Sequence, residues 1–234
     1  MGKSKMTAKG AWDNTGSVTI SAGTLMIDGG SLGTGALTVA RNASLSGVGT
    51  LANSNITING IIQPGKSAAA LNATIDCGAK NLTVSTTGTY TVTVRRCATR
   101  TNDGCANITN IGKLTLSGTI NVELSPFQNL TTGDSIRIFT CKTFTGNPKF
   151  NLPRQFVWDT SRIREGLLFI TGMRIMEDVN DDGIVDTQDV LCIYQFIQDG
   201  SLPVEGDTEA CDVNGDGIVD TQDVLKIYEY MQKE

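Results

Sequence analysis

The amino-acid sequence predicts a mainly β protein, residues 1–173, followed by a small α-helical C-terminal domain, residues 174–234. The first segment contains short runs that alternate apolar with small polar residues, which is the period of strands with one buried face. The second segment repeats itself, and in each copy helical periodicity follows an acidic loop. The two segments carry opposite net charges, +8 from 16 basic and 8 acidic residues and −13 from 3 basic and 16 acidic residues, which indicates two domains.

The strand-like runs of the first segment are short and are separated by Gly, Asn and Ser clusters that are typical of turns. They occupy residues 17–20, 24–27, 36–39, 55–58, 81–84 and 113–116. Strands this short do not form a stable isolated sheet, whereas the stacked rungs of a solenoid bury each aliphatic row on the next. The favoured fold is therefore a parallel β-helix. Because the runs are unevenly spaced, an antiparallel sandwich stays open as the alternative.

Five Gly-, Thr- and Asn-rich segments of this region share a common pattern, at residues 23–29, 32–39, 42–51, 56–65 and 114–122. They resemble autotransporter-associated β-strand repeats, as found in the C-terminal part of an autotransporter passenger. The resemblance covers roughly residues 16–172. It implies a right-handed parallel β-helix outside the cell, and it carries over no catalytic site.

The C-terminal domain contains an internal repeat of 34 residues, in which residues 178–194 match 212–228 at 15 of 17 positions. Each copy opens with Asp-x-Asn-x-Asp-Gly, the start of an EF-hand-type calcium loop. Ca²⁺ takes six to eight oxygen ligands, and loop positions 1, 3, 5, 9 and 12 supply side chains while position 7 supplies a carbonyl. The predicted ligands are Asp178, Asn180, Asp182, Ile184, Asp186 and Asp189, then Asp212, Asn214, Asp216, Ile218, Asp220 and Asp223.

Two loops of this kind predict two Ca²⁺ ions. An acidic solvated turn is the alternative interpretation, and the repetition of the ligand spacing in register argues against it. Four carboxylates that converge without a metal repel one another, so we expect the fold of this domain to depend on Ca²⁺.

Apolar residues follow each loop at helical spacing, and position 12 is Asp where EF-hands usually have Glu. These apolar residues are Val190, Leu191, Ile193, Tyr194 and Ile197, then Val224, Leu225, Ile227, Tyr228 and Met231. Such duplicated loop–helix pairs are similar to a type I dockerin over residues 174–234. The resemblance implies noncovalent docking to a cohesin module, as in cellulosome-like assemblies that degrade polysaccharides. It also implies that loop positions 10 and 11 contact the cohesin, namely Thr187, Gln188, Thr221 and Gln222.

Because the two copies carry the same Thr-Gln pair, the domain is predicted to bind its partner in either of two equivalent orientations. The equivalence is incomplete, since later helix positions differ, with Gln195 in one copy and Glu229 in the other.

The chain contains six cysteines, an even number that fits an oxidising compartment. Cys97 and Cys105 flank a polar loop between two strand-like runs, which predicts a disulfide between them. A Cys192–Cys211 disulfide would hold the connector between the repeats, residues 198–210, against the first helix. Cys77 and Cys141 then remain as a third pair.

Composition excludes several functional classes. The chain contains no histidine, which excludes Ser-His-Asp and Cys-His catalysis and His-ligated metals. No apolar run approaches the roughly 18 residues that span a bilayer, so we expect no membrane insertion. The basic group around Arg95, Arg96 and Arg100 has no interleaved aromatic residues, so no nucleic-acid binding is expected.

Taken together, the sequence predicts a noncatalytic extracellular or cell-surface segment of a secreted bacterial protein. A β-helix stalk or spacer carries a Ca²⁺-dependent dockerin that binds a cohesin module, with polysaccharide as a further contact of the parent complex. Residues 1–6 lack the apolar core of a signal peptide, so we expect none in this chain. One alternative is a polysaccharide-active β-helix enzyme recruited by its dockerin, since stacking can bring distant carboxylates together. The other alternative is an adhesin stalk with a calcium-stabilised cap.

Overall fold

The computed structural model describes residues 4–65, 73–94, 105–125, 129–204, 207 and 209–233. These residues form seventeen strands, a short 3-10 turn at Ile163–Glu165 and two α-helices. The strands are β1 (Lys5–Ala11), β2 (Val18–Ile20), β3 (Gly23–Ser31), β4 (Leu37–Val39), β5 (Ala43–Thr50), β6 (Asn55–Ile58), β7 (Ile61–Pro64), β8 (Thr74–Asp76), β9 (Asn81–Val84), β10 (Thr89–Val94), β11 (Asn107–Leu116), β12 (Thr119–Leu124), β13 (Ser135–Arg137), β14 (Phe139–Thr145), β15 (Lys149–Asn151), β16 (Phe156–Asp159) and β17 (Leu167–Met173). The helices are α1 (Thr187–Asp199) and α2 (Thr221–Met231).

The chain divides into two compact units. The first comprises Met1–Pro153 and Trp158–Gly172, and the second comprises Arg154–Val157 and Met173–Glu234. The short segment Arg154–Val157 therefore belongs to the second unit, although it precedes the last strand of the first in sequence.

The large sheet of the first unit is parallel in every strand pair that the structure describes. One ladder runs through β2, β4, β6, β9, β11 and β14. A second runs through β1, β3, β5, β7, β10, β12 and β15. A third joins the later residues of β1, β3 and β5 to β8, β11 and β14. The parallel pairing overturns the antiparallel sandwich as an alternative for these strands.

Aliphatic side chains stack in columns along the ladders. One column occupies the same register position in five successive strands of the first ladder. Each of its members is buried, and the three inner members pair with a strand on either side, so the inner strands of the ladder gain apolar burial from two neighbours. The column consists of Ile20, Val39, Ile58, Val84 and Leu116.

The neighbouring register position of the same ladder points outward. It is threonine in six strands, whose side chains are exposed or half-buried. The threonines are Thr19, Thr38, Thr57, Thr83, Thr115 and Thr145. The alternation of inward aliphatic and outward threonine residues is the structural origin of the period-two sequence pattern.

Close approach of neighbouring strands explains Gly47, one of the two glycines within β5. Gly47 has φ +105°, and a Cβ atom there would lie 1.9 Å from the carbonyl oxygen of Ile27 in β3. Any larger residue would separate the two strands, so the ladder requires glycine at this position.

The second sheet is small and differs in direction. Its strand order is β13-β17-β16, and β13 pairs antiparallel with β17, with Ile136 opposite Leu168. Both residues are buried. The short alternating runs in the sequence give no indication of this antiparallel element, because β13 carries the same pattern as the parallel strands.

The second unit has a core of its own, to which each repeat contributes equivalent residues 34 positions apart. They are Val179, Val190 and Ile193 from the first repeat and Val213, Val224 and Ile227 from the second, joined by Cys211. Neither helix in the described part of the chain has the length and apolarity to span a bilayer.

The structure corrects two of the predicted disulfides. Cys77, Cys141, Cys192 and Cys211 are free thiols, so the Cys77–Cys141 and Cys192–Cys211 pairings are absent. Cys77 is buried, whereas Cys141 is half-buried on β14 opposite Ile111. Cys211 lies inside the core of the second unit, while Cys192 packs against that core from α1.

Burial sets the acidity of these thiols. It raises the pKa of Cys77 to about 12 and that of Cys211 to about 11. The third predicted disulfide joins Cys105, which is buried, to Cys97, which lies outside the described residues.

The aliphatic column predicts a contrast between two adjacent residues of β6. Ile58→Ala removes a side chain from the middle of the column and is expected to destabilise the first unit by about 2–5 kcal/mol. Thr57→Ala removes an outward side chain and is expected to cost about 0.5 kcal/mol or less. Denaturant unfolding of both variants measures the difference. Equal losses would contradict the assignment of inward and outward faces.

Thiol labelling without reductant tests the corrected cysteine assignments. The thiolate is the reactive form, so the high pKa and burial of Cys77 should leave it unlabelled by iodoacetamide at pH 8, while the half-buried Cys141 reacts. Denaturation should expose the buried Cys77 and Cys211 to the reagent, as read by peptide mass spectrometry. A cross-linked peptide containing Cys192 and Cys211 would overturn the assignment.

Candidate functional site

The candidate site consists of the two acidic loops, residues 178–189 and 212–223, each of which leads into a helix. The helices are capped at their N-termini by Asp186 and Asp220, whose carboxylates accept hydrogen bonds from the amides of Gln188 and Gln222, both at 2.7 Å. A side-chain oxygen in this position satisfies an amide of the first helical turn that has no partner within the helix. The aspartate at loop position 9 therefore also defines where the helix begins.

The first aspartate of each loop organises the turn that follows it. Asp178 accepts hydrogen bonds from the amides of Asp182 at 3.1 Å and Gly183 at 2.9 Å. In the second loop Asp212 accepts from Asp216 and Gly217 at the same two distances. The sequence repeat is thus matched by a repeated hydrogen-bond pattern.

Glycine at loop position 6 permits this turn. Gly183 and Gly217 have φ of +88° and +85°, a left-handed conformation that residues with a Cβ rarely adopt. The following residues, Ile184 and Ile218, are more than 60% exposed. Their side chains therefore point to solvent, and the amide of each donates to the aspartate two residues earlier, at 2.9 and 2.8 Å.

The aspartate at position 12 is the most enclosed group of each loop. Asp189 is fully buried, and its carboxylate accepts hydrogen bonds from the amides of Val179 at 2.7 Å, Asn180 at 3.1 Å and Asp186 at 2.8 Å. These bonds join the start of the loop to the start of the helix. Asp223 is likewise fully buried and accepts from the amides of Asn214 at 3.0 Å and Asp220 at 2.9 Å.

The position-3 asparagine and position-5 aspartate also face each other. Asn180 donates from Nδ2 to Asp182 at 2.9 Å, and Asn214 donates to Asp216 at 3.1 Å. The structure therefore brings the predicted residues of each loop into one network of carboxylates, carboxamides and amides.

The donor set fits a hard divalent cation. Each loop offers five oxygen-bearing side chains and one backbone carbonyl, which equals the lower end of the coordination number of Ca²⁺. Across the described residues no three acidic or thiol side chains converge as a ready-made metal cluster, because the carboxylates bind the loop amides. A carboxylate has about four lone-pair sites, so an oxygen that accepts one amide retains a site for a cation.

The residues predicted to contact a partner lie on the surface. Thr187 and Gln188 begin α1, Thr221 and Gln222 begin α2, and all four are exposed. They belong to the first turn of each helix, directly after the calcium-loop aspartates.

The helices also carry exposed apolar residues that helical spacing alone assigns to the core. Leu191 and Tyr194 of α1 are 58% and 47% exposed, and Leu225 and Tyr228 of α2 are 52% and 41% exposed. Only the neighbouring valine and isoleucine of each helix are buried in the core of the unit. Because Leu191 lies four residues after Thr187 and Tyr194 seven residues after it, these side chains share one helix face with the predicted contact residues.

Residues 176–232 match the family model of the dockerin type I domain. The match supports the dockerin prediction for the C-terminal segment, within the second unit. No curated protein matches the chain. The resemblance of residues 16–172 to autotransporter-associated repeats stays a prediction.

Removal of Ca²⁺ is expected to destabilise the second unit. A free Ca²⁺ concentration about one hundred times the dissociation constant of a site raises the free energy of unfolding by about 2.7 kcal/mol. Chelation removes this stabilisation at each site. Excess chelator should therefore lower the helical circular dichroism signal and the melting temperature of the second unit. Unchanged spectra and melting would refute calcium dependence.

A pair of loop variants provides the matched control. Asp189→Asn removes a buried charge and one of the accepted amide bonds, and it should weaken the response to Ca²⁺ on the order of tenfold. Asp181→Asn makes the same charge change at an exposed loop position outside the predicted ligand set, and its calcium response should match the wild type. Equal effects of the two variants would point to net charge rather than to a defined site.

Proposed function

We propose that this chain is a noncatalytic extracellular scaffold segment, in which a Ca²⁺-dependent dockerin binds a cohesin module of a partner protein. The observation that carries the proposal is the duplicated loop–helix structure at residues 178–231 together with its match to the dockerin type I family. A dockerin of this type implies calcium-dependent cohesin binding and assembly into a complex. The complex would be cellulosome-like or would lie at the cell surface.

Each loop would hold one Ca²⁺ ion. The first would be held by Asp178, Asn180, Asp182, Asp186, Asp189 and the carbonyl of Ile184, and the second by the equivalent residues 34 positions later. The ion would supply positive charge among the four carboxylates that each loop contributes. Eight of the sixteen acidic residues in 174–234 are proposed ligands, so two ions would change the net charge from −13 to −9.

The partner surface would consist of the exposed Thr-Gln pair and the apolar residues beside it. Docking interfaces combine a desolvated apolar centre with polar groups around it. Leu191 and Tyr194 supply the apolar centre on α1, and Leu225 and Tyr228 supply it on α2. Since both helices carry the same four residue types at the same spacing, the cohesin could bind through either helix.

The first unit would act as a stalk or spacer with the architecture of a parallel β-helix. The three parallel ladders and the stacked aliphatic columns support this architecture. Crossovers between parallel strands of one sheet are right-handed in nearly all proteins, which supports a right-handed coil. Its spacer role follows from the sequence, which contains no histidine for Ser-His-Asp or Cys-His catalysis.

Titration of the full chain against a panel of cohesin modules in Ca²⁺ tests the proposal and its two orientations. Replacing the pair Thr187–Gln188 by alanine, or the pair Thr221–Gln222, should weaken binding only about twofold, because one of two equivalent orientations survives. Replacing both pairs should weaken it by more than about tenfold. Thr57→Ala in the first unit serves as the control.

Two outcomes would contradict parts of the proposal. If replacing a single pair abolished binding, the two equivalent orientations would be refuted. The proposal that the wild-type chain binds a cohesin would still stand. Calcium-dependent folding without affinity for any cohesin would favour the adhesin stalk, in which the calcium loops only stabilise the end of the chain.

A further inference from the structure

Arg154 is a buried cation of the second unit that lies 22 residues ahead of the segment matched by the dockerin family. Its side chain is only 6% exposed. A guanidinium group loses much hydration on burial and must recover it from hydrogen bonds within the protein. The partners of Arg154 therefore show what its burial achieves.

The guanidinium contacts three groups, of which two lie at or just before the start of the first loop and one lies in the connector that precedes the second loop. Its Nε donates to the carboxylate of Asp207 at 2.9 Å. Its two terminal nitrogens donate to the backbone carbonyls of Met176 at 3.5 Å and Asp178 at 3.4 Å. Asp178 is the first proposed ligand of the first loop, so Arg154 binds the peptide group of a ligand rather than its carboxylate.

Asp207 extends the contact toward the second loop. While one of its oxygens accepts from Arg154, the other accepts from the amide of Glu209 at 3.2 Å. The amide of Asp212, the first proposed ligand of the second loop, donates in turn to the carbonyl of Glu209 at 3.2 Å. A series of hydrogen bonds thus links the starts of both loops through the side chains of Arg154 and Asp207 and the backbone of Glu209.

Arg174 reinforces this arrangement from the periphery. Its amide donates to the carbonyl of Gln155 at 3.0 Å, which fixes the segment that carries Arg154. Its guanidinium lies 3.9 Å from Asp207 and 3.7 Å from Asp181 and is about one-third exposed. Because exposed pairs at such distances contribute little, the buried Arg154 carries the argument.

We propose that Arg154 is a positioning residue for both calcium sites, which holds the backbone at the start of each loop so that the ligands are preorganised. This inference rests on the proposed function. Arginine suits the task because its planar fork donates in several fixed directions, which the single ammonium group of lysine does not reproduce. A group that orients metal ligands without touching the metal typically changes metal affinity by 10–100-fold when it is removed.

Calcium titration of the full chain tests the proposal with Arg154→Met, Arg154→Lys, Asp207→Asn and the double variant Arg154→Met/Asp207→Asn. Arg154→Met should weaken calcium affinity on the order of tenfold, and Arg154→Lys should restore only part of the loss. The losses of Arg154→Met and Asp207→Asn should not add in the double variant, because both break one interaction. Arg162→Met, which removes an exposed partner of Glu165 in the first unit, should leave the affinity unchanged.

Melting in the presence and absence of Ca²⁺ provides a second readout for the same variants. The melting-temperature increase on adding Ca²⁺ should be smaller for Arg154→Met than for the wild type, and Asp207→Asn supplies the measurement if Arg154→Met does not fold. A wild-type calcium affinity in Arg154→Met, or additive losses in the double variant, would overturn the positioning role alone. A wild-type chain that takes up no Ca²⁺ would overturn the proposed function, and this inference with it.

Discussion

Asp189 and Asp223 are carboxylates without contact to water, and an ionised carboxylate is buried only where hydrogen bonds replace its hydration. The replacement comes from backbone amides at both ends of its own loop. Closure of each loop on its final aspartate therefore sets where the helix begins and which apolar residues it presents to the core. The proposed metal site, the helix start and the core of the second unit depend on this one arrangement.

The first unit meets a different constraint, because its strands are too short to be stable in pairs. Parallel register solves this by placing equivalent aliphatic residues, such as Ile58 and Val84, above one another. Register is specified in turn by alternation, since a shift of one residue would turn the outward threonine into the column. Neither unit therefore relies on strong local propensity, and in both the repetition of a simple motif supplies the missing stability.

Much of this was predictable from local patterns. Ligand spacing in residues 178–189 identified the loops, and period-two alternation identified strands such as β4, β6 and β9, because both signals lie within a few neighbouring residues. Helical spacing did not separate Leu191 and Tyr194, which are exposed, from Val190 and Ile193, which are buried, since the two sets adjoin on a short helix. The predicted Cys192–Cys211 bond failed because proximity in sequence to one connector does not establish bonding geometry. Arg154 carried no local signal, as its partners lie 22 to 53 residues away.

The placement of Arg154–Val157 within the second unit bears on where such a module can be cut from its chain. A fusion tag cut at residue 174 would carry both loops and both helices, but it would leave behind the cation that neutralises Asp207 and binds the carbonyls of Met176 and Asp178. A fragment that keeps these contacts would have to begin ahead of Arg154 and include the final strands of the β unit. The second compact unit is accordingly longer than residues 176–232, which match the dockerin type I model.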